Sequence, residues 1–151
     1  MAILFVPGQV AVGDPNPGGP SATSNVKDIR VKVVKLTSAN FGTTAVNTLV
    51  AVLPADATIV DMSYNVKTQL AGGGITAATV NVGTSSGGTQ FVSAFNIFGT
   101  AGTNSHVSPL TGIDQNYNVP LGSDIQVFVG GTATTGTPTS GEIYLSIYYV
   151  R

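Results

Sequence analysis

The feature that most constrains this chain is a two-residue alternation of apolar and polar residues, broken repeatedly by Gly, Thr, Asn and Pro. Strands place successive side chains on opposite faces, so this period reads as half-buried β-structure. VKDIRVKVVKLT (Val26–Thr37) puts Ile29, Val31 and Val33 on one face and Asp28, Arg30 and Lys32 on the other. The charged row is expected to face solvent. NTLVAVLP is an apolar run that Pro54 ends. In ATIVDMSYNVKTQL, Val60, Met62, Tyr64 and Val66 share a face opposite Asp61, Ser63, Asn65 and Lys67. ITAATVNVG follows with Ala78, Val80 and Val82 on one side. QFVSAFNIF fits a strand or one short helical turn. GTAGTNSHVSPLTG reads as a long polar loop and TATTGTPTSG as a hairpin tip, with a strand over Asp124–Val129. The closing EIYLSIYYVR sets Ile143, Leu145 and Ile147 against Tyr144, Ser146 and Tyr148.

No stretch keeps a 3.6-residue period, and Glu, Lys and Arg, which favour helices, are scarce. Val, Ile and Thr suit pleated sheets. The expected fold is all-β: a single antiparallel β-sandwich or jelly-roll-like domain over residues 25–151. A chain of 151 residues fits one domain and is long enough to bury roughly 68–70% of its unfolded surface. Charged residues are only 9%, against about 25% in ordinary soluble domains, so the surface is expected to be neutral and polar. A net charge of −1 does not favour a nucleic-acid partner. The absence of cysteine excludes disulfides and thiolate metal sites, leaving packing or oligomerisation to supply stability.

Residues 1–24 form a separate unit. MAILFVPGQVAV is apolar, and GDPNPGGPSATS is turn and coil material with Asp14 as its one charge. The apolar run is too short for a membrane helix, and no membrane partner is expected. It has no cation near its start and is cut short by Pro7-Gly8, which also argues against a signal peptide. Pro15, Pro17 and Pro20 oppose regular pairing, and Gly18-Gly19 oppose stiffness. The reading is an extended arm and hinge. Fully extended, it would reach on the order of 80 Å at about 3.3 Å per residue. Ile3, Leu4, Phe5, Val6, Val10 and Val12 would be costly to leave in water, so they are expected to meet a groove or add a strand to a partner.

Catalytic and metal-binding patterns are absent. His106 is the only histidine, and it sits in a segment that reads as solvated loop. No G-x-S-x-G elbow surrounds any serine. One histidine cannot build a His-rich zinc site. The acids Asp14, Asp28, Asp56, Asp61, Asp114, Asp124 and Glu142 have no EF-hand spacing, and Asp56 and Asp61 suit turn and cap roles. AGGG and GTSSGG lack the Lys of a phosphate loop. No catalytic residue, metal or cofactor is assigned. Two features fit a protein partner instead. Lys27, Arg30, Lys32 and Lys35 lie close together, so Arg30 and Lys32 could meet an acidic surface. Tyr144 and Tyr148 pair an aromatic face with a polar tip, as interfaces and sugar sites favour.

LPADATIVDMSYNVKTQL, followed by TAATVNVGTSSGGTQFVSA and the terminal DIQVFVGG and GEIYLSIYYVR, resembles small virion proteins of tailed bacteriophages. The resemblance implies a head decoration (cement) protein with a sandwich fold, a final hairpin and no cofactor. It implies binding to the major capsid protein on the outer surface of the virion head, and self-association as a trimer or dimer. Two rivals stand beside this expectation: a carbohydrate-binding or adhesion module of a phage tail or fibre, and a hydrolase on a sandwich.

Overall fold

The computed structural model describes residues 28–107 and 124–151. Nine strands occur there: β1 (Ile29–Thr37), β2 (Phe41–Gly42), β3 (Val46–Leu53), β4 (Thr58–Ala71), β5 (Ala77–Gly83), β6 (Val92–Asn96), β7 (Asn104–His106), β8 (Ile125–Thr134) and β9 (Ser140–Val150). A single 3-10 turn, Ser38–Asn40, joins β1 to β2. No α-helix occurs among the described residues. One sheet has the order β1-β9-β4-β7. The other has the order β2-β8-β5-β6, with β3 also paired to β8. All pairings are antiparallel except the short β2–β8 match. The fold is the expected β-sandwich.

The core lies between the sheets, where the apolar member of each alternation points. Ile143, Leu145 and Ile147 of β9 meet Met62, Tyr64 and Val66 of β4 across one sheet. Ala78, Val80 and Val82 of β5, with Val127 and Val129 of β8, supply the other layer. Each of these is nearly or fully buried. The ring of Tyr64 meets Phe95 edge-on at 5.7 Å between centroids, a favoured aromatic geometry.

Four expectations need correction. In β1 the buried residues are Val34 and Leu36, and Ile29, Val31 and Val33 are exposed. The apolar pattern changes phase at the Val33-Val34 doublet, and the core takes the second phase. Arg30 and Lys32 therefore belong to the inward row, but at the end of an edge strand, where their long side chains remain in water. In β4 a bulge between Ile59 and Asp61 moves Val60 off the core face and buries Ile59 instead. Within the polar stretch 99–112, Asn104–His106 forms β7, paired to Ser63–Asn65. Finally, β8 and β9 form no hairpin: the turn at 135–139 carries the chain from one sheet to the other.

The open choice at residues 90–98 resolves to β6, with a left-handed Ala94 (φ 47°) in its middle. The glycine pair in β8 has a packing reason. At Gly131, β8 is paired by β5 on one side and by β2 and β3 on the other. A Cβ there would stand 2.8 Å from the Phe41 ring and against the Asn40 carbonyl. Among the described residues, no buried side-chain nitrogen or oxygen lacks a hydrogen-bond partner.

Candidate interaction surface

The outer face of the β1-β9-β4-β7 sheet gathers the side chains that the core rejects. Cross-strand partners in an antiparallel pair share a face. Val31 therefore stands beside Tyr148, Val33 beside Ser146 and Lys35 beside Tyr144. The rows continue through Asp61, Ser63 and Asn65 of β4 to His106 and Asn104 of β7. The face grades from apolar at β1, through two half-buried tyrosines, to neutral and polar at β7.

Hydrogen bonds order this face. Lys35 Nζ lies 2.6 Å from a Glu142 carboxylate oxygen. The Lys35 hydrogen bond, with a second from Tyr144, holds the Glu142 carboxyl below its ordinary range. The same contact raises the Lys35 ammonium, and the Tyr144 phenol is raised by its bond to Glu142. Ser63 donates its hydroxyl to the Tyr148 oxygen at 3.3 Å. Asn65 donates to Asn104. His106 Nδ1 lies 2.8 Å from Asp61. An open groove of about 410 Å³ runs among Ser63, Asn65, Asn104, His106, Ser146 and Tyr148.

These positions bear directly on the sequence readings. Tyr144 and Tyr148 share the outer face, as the alternation requires. Arg30 and Lys32 do not join them, because they belong to the opposite row. Ile3, Leu4, Phe5, Val6, Val10 and Val12 lie outside the described residues, as do Asp14, Lys27 and Asp114. His106 is exposed, as expected, but it is a strand residue with a carboxylate partner. The Ser63 hydroxyl is directed to Tyr148, not to the imidazole. Asp56 sits in the turn before β4 and meets Arg151 at 3.1 Å. Asp124 accepts from the Ala55 N–H at 2.8 Å. No cluster of three His, Asp or Glu side chains suited to a metal occurs among the described residues.

The exposed apolar residues carry the information that the sequence reading missed. Ile29, Val31 and Val33 are 71%, 51% and 52% exposed, and Leu49 and Val52 of β3 are 47% and 56% exposed. β1 borders its sheet and β3 borders the other, and the two borders come close to each other, while each exposed row points away from the core on the outer face of its own sheet. The signal was present in two places: the phase change in β1, and an apolar run in β3 longer than its buried row.

No family model matches the sequence, and no curated protein matches it. The fold has counterparts among solved structures. A chain of the cyanophage Pam1 capsid asymmetric unit superposes with a TM-score of 0.53 at 18% identity, over 82% of this chain and 85% of that one. A chain of the capsid of Ralstonia phage GP4 gives 0.54 at 20% identity, over 82% and 84%. The sandwich is thus a fold found in phage capsids.

Proposed function

We propose that this chain is a non-enzymatic structural protein of a phage head, which binds the outer surface of the assembled capsid and strengthens it. The observation that carries this reading is the fold shared with chains of two phage capsids over more than four-fifths of the sequence. The surface is in keeping with it: an apolar and aromatic strip on one side of the sandwich suits a protein partner better than a small substrate. Residues 1–24, read as an apolar arm on a Pro/Gly hinge, would reach a neighbouring subunit and add grip. The major capsid protein and further copies of this chain are the partners. The test mixes purified chain, with and without residues 1–24, with undecorated heads. Full-length protein should decorate them at a fixed ratio, and the truncated chain should fold but fail to bind. Full occupancy by the truncated chain would remove the arm from the account.

A second reading has its own observation. Tyr148, Asn65 and Asn104 line an open groove that carries planar and hydrogen-bonding groups together, as sugar sites do. A glycan array would support adhesion if oligosaccharides bind and Tyr148→Ala abolishes the signal. A blank array with decorated heads would reject it.

A further inference from the structure

The unpaired side of β1 is the least expected feature of the molecule. Soluble sheets usually shield their borders with charge, proline, bulges or covering segments. β1 does carry the exposed cations Arg30, Lys32 and Lys35, but its outward row holds three aliphatic residues. β1 is nine residues long and pairs only with β9 among the described residues. Its outward row, Ile29, Val31 and Val33, is apolar and more than half exposed. Backbone N–H and C=O groups that no strand pairs among the described residues, beside three exposed aliphatic side chains, are suited to receiving another strand.

We propose that this border accepts, as an added strand, the segment Ile3–Val6 of a second copy of this chain. An acceptor border without a strand partner among the described residues thus coexists with an apolar candidate donor in the sequence. Twenty-seven residues precede the described chain, which resumes one residue before β1. Within them Ile3, Leu4, Phe5 and Val6 are four consecutive apolar residues that would, as a strand, present apolar side chains on both faces, and Pro7 follows with no N–H to donate. One face of such a strand would extend the row of Ile29, Val31 and Val33.

The charges of β1 favour this donor over a second β1. Two β1 strands paired antiparallel about Val31 would set Arg30 against Lys32, and pairing about Lys32 would set that lysine against itself. Ile3–Val6 carries no charge. Pro15, Pro17 and Pro20 favour extended spacing on either side of the Gly18-Gly19 hinge, which gives the segment the reach to arrive at a neighbouring copy. A donor-to-acceptor contact between copies is head-to-tail, so it can close into a ring in which every β1 border is filled. This deepens the arm reading given above by naming where the arm binds.

The chain has no cysteine, so engineered thiols report cleanly. Phe5→Cys in isotope-labelled protein is mixed with Val33→Cys in unlabelled protein, without capsids, and oxidised with glutathione disulfide. The expected result is a disulfide joining position 5 of a labelled chain to position 33 of an unlabelled one. Sedimentation gives a second readout: wild-type protein should associate, and both deletion of Ala2–Val6 and the pair Val31→Asp with Val33→Asp should return it to monomer. A 5–33 link found only within single chains of a double variant would overturn the proposal. So would wild-type protein that stays monomeric at 100-fold higher concentration. Because no capsid is present, these failures leave the head-binding reading standing. Intact links with no decoration of heads would sink that reading and leave this one.

Discussion

Val31 of β1 stands directly opposite Tyr148 of β9, and both point away from the core. Val31 is half exposed beside a phenol ring, and neither residue contributes much to the sandwich interior. Replacing Val31 with Asn should therefore change folding stability by no more than about 0.5 kcal/mol, the usual range for surface sites. Binding to heads should fall clearly. Thermal unfolding and a particle pull-down, run on the same preparation, check both halves.

The phase of β1 gives a sharper contrast. Val33 and Val34 are neighbours in sequence but lie on opposite faces. Val34→Asp would bury an unpaired carboxylate and should unfold the domain or cost it several kcal/mol. At concentrations where the protein is monomeric, Val33→Asp should leave the melting temperature nearly unchanged. Equal effects at the two positions would mean that the strand is out of register.

Much of the fold was legible in this way, from the alternation itself. β9 and the central part of β4 face as their patterns require, because each carries one uninterrupted phase. β1 misleads because two phases meet at Val33-Val34, and only burial by the opposite sheet selects between them. The bulge near Val60 and the crossing between β8 and β9 depend on pairing partners distant in sequence. The two tyrosines were legible as outward residues. The apolar residues of the border left a local signal in the phase change of β1 and the long apolar run of β3, but their place at a border did not, since a strand's place in the sheet order leaves no local mark.

Core packing sets the largest single-site effects. Ile147 is fully buried and is paired to Lys32 and Met62. Ile147→Ala should cost about 2–5 kcal/mol through lost burial and the cavity left behind. Chemical denaturation should show a lower midpoint with an unchanged slope.

Gly131 should tolerate no side chain. A Cβ would press on the Phe41 ring and the Asn40 carbonyl, both held by β2 pairing with β8. Gly131→Ala should cost about 1–3 kcal/mol, the range for overpacking. Gly102 offers a comparison: it has open space around it but a φ of 90°, so Gly102→Ala should cost only local backbone strain. A melt of the two variants side by side tests the difference.

Stability should respond to pH through Lys35 and Glu142. The folded state lowers the Glu142 pKa, so its contribution is present above the unfolded value and is lost as pH falls through the folded one. The Lys35 pKa is raised, so its contribution is full below the unfolded value and is lost as pH rises through the folded one. The pair thus supports the fold across the range between the two. Glu142→Gln should flatten both limbs of a melting-temperature profile, because it also removes the cause of the Lys35 shift, whereas Lys35→Met should flatten the alkaline limb and only part of the acid limb, since Tyr144 still bonds Glu142. An unaltered profile in both variants would show that this contact is without weight in solution.

Direct examination of purified heads comes nearest to the proposed role. Particles banded by density should contain this chain in fixed proportion to the main shell protein, and brief protease treatment of intact particles should remove it first. Heads that lack the chain, or that hold it only beyond protease reach, would contradict a protein bound to the outer surface.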